Sequence, residues 1–237
     1  MKFVKWTFAA MWLFMGAACQ DSEVDPNGPV TLTNSDFRNN TDGWIAEVTD
    51  YSTAQEEIIE FQSGHKALPE PLDVSKKSFM ISGHNRSDDL FMFLKKKVTG
   101  LKPNQTYSID FEVELASKYG DNSVGIGGSP GGSVYLKAGV LATEPKKVKE
   151  GDDYRLNIDK GNQATGSDAV PVLGNIGAGN DATQYKLIQR STTQPITAKT
   201  NSAGELWLLV GTDSGFEGLT TLYYNKIKVV AEVKPGN

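Results

Sequence analysis

The chain has little of several residue types that support common kinds of chemistry. Among its 237 residues there is one cysteine, Cys19, so no disulfide can form within a molecule. There are two histidines, His65 and His84, to act as bases. The formal net charge is −5 and basic residues occur in no long block, so nucleic acid is not an expected partner. After residue 18 the chain has no apolar run long enough to predict a transmembrane helix.

The N-terminus has the pattern of an export and anchoring signal. Two lysines precede an apolar run from Trp6 to Ala18, which is too short to span a bilayer comfortably, so residues 1–18 are predicted to be a signal peptide. The run ends in Met15–Cys19, MGAAC, which resembles the lipobox of bacterial lipoproteins. This resemblance implies that Cys19 carries lipid.

Residues 19–28 are acidic at first and then rich in proline and glycine, a composition that predicts an extended tether. They resemble the acidic export signal of Bacteroidetes surface lipoproteins. The resemblance implies a protein anchored by lipid in the bacterial outer membrane and exposed at the cell surface, with the periplasmic face as the alternative.

Residues 29–237 are predicted to form one all-β domain. Short apolar runs alternate with turn residues, and almost no stretch has a helical period. The opening Phe37, a polar turn and Gly43–Trp44 entering a strand resemble the N-terminal segment of jelly-roll carbohydrate-binding modules. The resemblance implies a β-sandwich of jelly-roll type. A group of bacterial exported proteins is also resembled by three blocks, Ser87–Met92, Gly125–Gly139 and Asn157–Gln163. This likeness spans roughly Trp44 to Val229, supports a single domain and implies no catalytic residues.

The clearest strands are predicted from their alternation of apolar and polar residues. Leu90–Val98 and Tyr107–Leu115 have a period of two and are joined by residues 99–105, rich in turn formers, so they predict a hairpin with a long loop. Lys95–Lys97 is interpreted as the solvated end of the first strand, and Ile58–Phe61 as another strand. The long polar segment 144–183 predicts loops packed over one face or end of the sandwich.

Three blocks of polar or glycine-rich sequence are predicted to meet in one ligand site: Gly83–Asp89, Gly125–Gly132 and Asp159–Gln163. Aromatic residues in or beside loops can stack on sugar rings, while Asp, Asn and Arg bind the hydroxyls. A polar ligand such as a glycan is therefore the expected partner. The candidate binding residues are His84, Asn85, Arg86, Asp88, Asp89, Tyr119, Tyr154, Asp159, Lys160, Asn162 and Phe216. For Arg86 and Lys160 the alternative is a pairing with nearby acids that only fastens a long loop.

Two other functions stay open. One is a secreted hydrolase or lyase that uses His84 with Asp88 or Asp89 as acid and base, and the other is a structural envelope lipoprotein without a small ligand. Gly127–Gly131 matches the G-x-S-x-G pattern of serine hydrolases, but a strand follows it where that motif needs a helix. Asp213–Gly215 matches an aspartic-protease motif that has no second copy in the chain.

Calcium is a possible cofactor on ligand type alone, because the chain offers several loop carboxylates and calcium prefers oxygen ligands. No spacing among them defines a site. The acids considered are Asp88, Asp89, Asp152, Asp153 and Asp159.

Overall fold

The computed structural model describes residues 28–234, so the predicted signal peptide and Cys19 lie outside the described residues. Within that range the chain is almost entirely β-structure, with one short 3-10 helix at Thr53–Gln55. The strands are β1 (Val30–Ser35), β2 (Ile45–Thr49), β3 (Tyr51–Ser52), β4 (Gln62–Ala67), β5 (Lys77–His84), β6 (Leu90–Val98), β7 (Thr106–Ser117), β8 (Val134–Leu141), β9 (Lys147–Glu150), β10 (Asp153–Leu156), β11 (Val172–Asn175), β12 (Lys186–Ser191), β13 (Ile196–Lys199), β14 (Leu206–Ser214) and β15 (Leu219–Val233).

The strands form two large antiparallel sheets and a small one. The seven-stranded sheet has the order β12-β7-β15-β5-β4, with β1 added to β15 and β13 added to β7. The five-stranded sheet has the order β11-β8-β14-β6-β2, and the three-stranded sheet has the order β3-β10-β9. Successive long strands alternate between the large sheets, from β5 to β8 and again from β14 to β15. The fold is therefore a β-sandwich of jelly-roll type, which confirms the predicted fold class.

The main core lies between the two large sheets. In β7 the apolar residues of the alternation, Tyr107 to Leu115, are buried, while Asp110 and Glu112 on the other face are exposed. Leu206, Leu208 and Val210 of β14 belong to the same cluster of buried side chains. The period of two in the sequence thus identifies the buried face correctly.

The predicted hairpin of β6 and β7 is wrong. β6 pairs with β14 and β2 in the five-stranded sheet, whereas β7 pairs with β12, β13 and β15 in the seven-stranded sheet. The connecting loop therefore crosses from one sheet to the other. The same turn residues serve both kinds of connection, since they only need to reverse the chain.

A second, smaller core covers the outer face of the five-stranded sheet. Phe91 and Phe93 of β6 point away from the main core and pack with Leu141, Leu156, Val170 and Leu209. Leu156 and Val170 come from the long segment 144–183. The prediction that this segment packs over one face of the sandwich is confirmed. Its packing shields that face from solvent, so side chains on the face are buried.

Three local predictions are wrong. Lys95 is not solvated but buried, because Glu47 and Glu144 neutralise its ammonium group. Residues 58–61 are a turn and irregular chain, and the strand begins only at Gln62.

The third concerns β15, where the alternation in the sequence predicts that one face is shared by Tyr223, Asn225, Ile227, Val229 and Ala231. A β-bulge between Tyr224 and Lys226 shifts the register, so the core face changes from Leu222 and Tyr224 to Ile227 and its successors.

Candidate functional site

The three predicted blocks contact the same segment, residues 213–218, which comprises the end of β14 and the turn to β15. The side chain of Asn85 donates hydrogen bonds to the carbonyl oxygens of Ser214 at 2.7 Å and Phe216 at 3.0 Å. The backbone amide of Glu217 donates to the carbonyl of Ile126 at 2.8 Å. The amide of Gln163 donates to the Asp213 carboxylate at 2.9 Å. The blocks therefore lie at one end of the sandwich.

A buried charge network holds this end together. The ammonium groups of Lys137 and Lys160 each lie 2.8 Å from Oδ2 of Asp213. Lys137 and Asp213 have no exposed side-chain surface, and Lys137 also donates to the carbonyl oxygens of Lys160 at 2.9 Å and Thr165 at 3.1 Å. Because Lys137 and Asp213 stand on the neighbouring strands β8 and β14, the network ties the long segment to the five-stranded sheet.

Lys160 is shared among three carboxylates. Its Nζ lies 3.4 Å from Asp50 and 3.5 Å from Asp89, in addition to Asp213, and 5.3 Å from the centre of the Phe91 ring. Burial by itself lowers the pKa of Lys160, but the charges of Asp213 and Asp50 outweigh it and raise that pKa. Lys160 is therefore a fixed positive charge.

The carboxyl groups differ in their proton affinity. Burial acts to raise the pKa of Asp213, but the charges and hydrogen bonds of Lys160 and Lys137 hold it below its usual value. Burial is the main cause that raises the pKa of Asp89, the charge of Lys160 opposes it, and the charges of Asp213 and Asp50 add to it, so that the pKa is raised to about 7. Asp213 is thus ionised at neutral pH, while Asp89 is close to half protonated.

A pocket of about 300 Å³ opens beside this network. Its lining contains four acidic and two basic side chains, together with Leu156, Ile158 and Gly161. The charged residues are Asp50, Asp89, Glu150, Arg155, Asp159 and Lys160. The arrangement can bind a polar ligand through charged and hydrogen-bonding groups whose positions are fixed by the buried ion pairs beneath them.

Three of the predicted binding residues, Asp89, Asp159 and Lys160, line this pocket. Asp159 is exposed and its carboxylate accepts a hydrogen bond from the amide of Gly161 at 2.8 Å, which closes a tight turn at the rim. Asn162 lies in the same turn and is exposed, and its backbone pairs with Thr165.

The block at the end of β5 serves mainly to hold the chain in place. Asn85 is buried against the 213–218 turn. Arg86 turns the other way, toward the carbonyl of Ile58 at 3.3 Å and the Glu60 carboxylate at 3.6 Å. Asp88 has a positive φ of 63°, and its carbonyl accepts a hydrogen bond from the side chain of Gln163.

His84 does not line the pocket. No hydrogen bond or ion pair joins it to Asp88 or Asp89 within residues 28–234, so the acid–base pair that a hydrolase would need is not formed there.

The predicted loop aromatics are packed against the protein. The hydroxyl of Tyr119 accepts a hydrogen bond from the amide of Thr221 at 2.7 Å. Tyr154 lies against the ring of Tyr51, with the ammonium of Lys147 over it at 4.4 Å. Phe216 is partly buried and packs against the main core. None of these three rings lines the 300 Å³ pocket.

Five charged residues of the site were not among the binding residues predicted from the sequence: Asp50, Lys137, Glu150, Arg155 and Asp213. Lys137 carried a usable signal, because it is the one charged residue in the otherwise apolar stretch Val134–Leu141. A lysine in a strand that is apolar on both faces needs a buried acidic partner. Asp213 ends an equally apolar strand and is that partner.

A larger groove of about 480 Å³ runs beside the 3-10 helix, lined by Tyr51, Glu56, Phe61 and Lys147 among others. The ring of Tyr51 is almost fully buried, and its hydroxyl accepts a hydrogen bond from Lys147. The ring of Tyr51 is therefore not open to a sugar, and the charged pocket, which has a buried ion network beneath it, is the better candidate site.

The described part of the chain contains no group of three or more His, Cys, Asp or Glu side chains arranged to hold a metal ion. In the charged pocket the ammonium of Lys160 already lies among the three carboxylates. Calcium binding stays a prediction. Within residues 28–234 no helix has both the length and the hydrophobicity needed to cross a membrane.

No protein-family model matches the chain, and no curated protein matches it. Solved structures match it weakly. A carbohydrate-binding module studied for mannan recognition, TmCBM27, is 8% identical with a TM-score of 0.36, over 87% of this chain and 99% of that one. The CBM22-1–GH10 modules of a Clostridium thermocellum xylanase are 12% identical with a TM-score of 0.38, over 87% of this chain and 30% of that one.

A cyclase from Fischerella sp. TAU is 11% identical with a TM-score of 0.40, and the match covers 88% of this chain and all of that one. The chain therefore spans less than a third of the xylanase structure but the whole length of the other two.

Proposed function

We propose that this protein binds a glycan or another polar ligand without catalysis, and that the charged pocket is the binding site. The observation that carries the proposal is a pocket of about 300 Å³ whose charged lining is supported by a buried ion network. Such a network holds the side chains in place before a ligand arrives, which reduces the entropy lost on binding.

The binding groups have defined roles in this proposal. Arg155 is partly exposed and is held by Asp153 at 2.7 Å, so its guanidinium can donate to hydroxyl or carbonyl oxygens of a ligand. Asp159 and Glu150 at the rim can accept hydrogen bonds from hydroxyl groups. Asp50 and Lys160 lie deeper and fix the base of the pocket.

A glycan array, read with and without calcium, tests the proposal and the calcium prediction together. A hit is then measured by calorimetry on the wild-type protein and on Arg155→Ala and Asp159→Ala. Each variant is expected to weaken binding about tenfold or more, since each removes a charged hydrogen bond. Arg38→Ala is the matched control, because Arg38 is an exposed arginine paired with Asp36 outside the pocket.

Binding that is unchanged in both pocket variants would place the ligand elsewhere. A loss of thermal stability in these variants, with no ligand found for the wild type, would favour the structural alternative in which the network only fastens the long segment.

The proposed setting is the outer membrane, with the domain at the cell surface and a lipid on Cys19 as anchor. This part of the proposal is supported by the N-terminal sequence alone, namely the lipobox-like MGAAC and the acidic tether that follows it.

A further inference from the structure

We propose that the pocket prefers ligands that carry a positive charge, and that loss of a proton from Asp89 strengthens this preference. This inference rests on the proposed function, because it names the ligand class of the same site. Amine-bearing glycans are the expected class.

The first observation is the charge of the lining. Four carboxylates face two basic groups in the pocket, and both basic groups are already engaged. Lys160 lies against Asp213 and Asp50, and Arg155 is bound to Asp153 at 2.7 Å. No ion pair joins Glu150 or Asp159 to a base in the part of the chain that the structure describes, so a ligand cation would meet two uncompensated carboxylates.

The second observation is the crowding of buried carboxyl groups around Lys160. Asp213 is completely buried, and its Oδ1 has no hydrogen-bond partner, although its Oδ2 has three. Asp89 and Asp213 share the ammonium group of Lys160, whose Nζ lies 3.5 Å from Oδ1 of Asp89 and 2.8 Å from Oδ2 of Asp213. Two carboxylates around one ammonium group repel each other when both are ionised, so a proton on Asp89 removes the repulsion.

Charged groups from every neighbouring element face Asp89. Asp50 follows β2, Arg155 stands on β10, Lys160 on the loop after it, and Asp213 on β14. Lys137 on β8 also contributes through its charge. Burial and the two acids, Asp50 and Asp213, favour the protonated form of Asp89 over the effect of the bases, and its pKa is raised to about 7.

The two protonation states give the pocket different charges. With Asp89 protonated, three acids face two bases in the lining, and with Asp89 ionised, four acids face two bases. A cation that binds beside Asp89 favours the ionised form and releases the proton. By linkage, its affinity rises as the pH increases through about 7.

The test uses three glucosamine-type or uronic-acid trimers whose charges do not change between pH 6 and 8. These are a fully N-acetylated neutral trimer, a fully N,N,N-trimethylated cationic trimer and a galacturonic acid trimer. Calorimetry at pH 6 and pH 8 is expected to show tightest binding of the cationic trimer. Its affinity should rise by up to about tenfold between the two values, with proton release visible as a dependence on buffer ionisation heat.

Two variants assign the effect to Asp89. Asp89→Asn cannot titrate, so it should bind the cationic trimer equally at pH 6 and pH 8, while Asp89→Glu should keep a rise with pH. Arg38→Ala should behave as the wild type, and circular dichroism confirms that each variant is folded.

The outcomes separate this inference from the proposed function. If the neutral trimer binds as tightly as the cationic one, and Arg155→Ala weakens both, the charge preference is overturned while the binding function stands. If the cationic trimer binds best but with no dependence on pH in the wild type, the role of Asp89 is overturned. If no trimer binds and the glycan array is also empty, the proposed function fails and this inference fails with it.

Discussion

The buried lysine of β8 shows how a single residue can depend on distant parts of the chain. Lys137 stands between Leu136 and Ala138 of the main core, but its own side chain points to the opposite face. There the ammonium group is desolvated, and burial lowers its pKa. Asp213 and two carbonyl oxygens of the long segment compensate for this cost. The ammonium group of Lys137 therefore connects β8 with β14 and with the long segment.

We expect Lys137→Met to destabilise the protein by about 3–5 kcal/mol, because it leaves Asp213 with less compensation and two buried carbonyl oxygens without their donor. Urea unfolding followed by circular dichroism measures the change. Adding Asp213→Leu removes the buried carboxylate as well and should recover part of the loss. Lys228→Met is the control, since Lys228 lies in a partly exposed pair with Glu112 at 3.6 Å and should change stability by less than about 1 kcal/mol.

The raised pKa of Asp89 predicts how stability depends on pH. The folded protein holds this proton up to about pH 7, whereas the unfolded chain releases it near the ordinary value of 3.8. Between these values unfolding releases a proton, so the contribution of Asp89 to the free energy of unfolding falls as the pH rises from about 4 to 7. As the pH rises through this window, the melting temperature of the wild type should therefore fall relative to that of Asp89→Asn. A constant difference would show that Asp89 titrates normally.

At the scale of the element, the sequence pattern identified strands better than it identified their partners. The alternation in β7 gave the correct buried face. The predicted pairing of β6 with β7 was wrong because two antiparallel strands that follow one another in the sequence can lie in the same sheet or in two facing sheets. Only the packing of β6 between β14 and β2, with a core on each side, decides between these.

Phe111→Asp should place an unpaired charge in the main core, since Phe111 is fully buried between the sheets. The expected loss is at least about 4 kcal/mol, sufficient to unfold many domains of this size. The neighbouring Glu112→Ala is the control, because Glu112 is exposed on the other face of β7. A folded Phe111→Asp variant with unchanged thermal unfolding would mean that the buried face of β7 is misassigned.

At the scale of the whole molecule, the proposed binding site lies at one end of the sandwich. The turn after β14 is held there by Asn85, the glycine-rich loop before β8 and the turn containing Gln163. Segment 144–183 closes over this end and supplies most of the pocket lining. The proposed binding site depends on this segment being held in place, and the buried ion network holds it.

Replacing Cys19 by serine tests the anchor. The variant is expected to leave the membrane fraction and appear as soluble protein, because the predicted lipid would be its attachment to the bilayer. Cell fractionation followed by immunoblotting measures the distribution. Persistence of Cys19→Ser in the membrane fraction would mean that attachment occurs by another route.

The sequence by itself determined the fold class, the strands with a regular alternation, and three of the six charged residues that line the pocket, Asp89, Asp159 and Lys160. These follow from local patterns, because a period of two and a run of turn residues are properties of neighbouring positions. The tertiary structure alone decided that β6 and β7 lie in different sheets and that Lys137 meets Asp213. Such contacts join residues far apart in sequence, and their energies depend on a burial that exists only after the long segment has packed over the sheet.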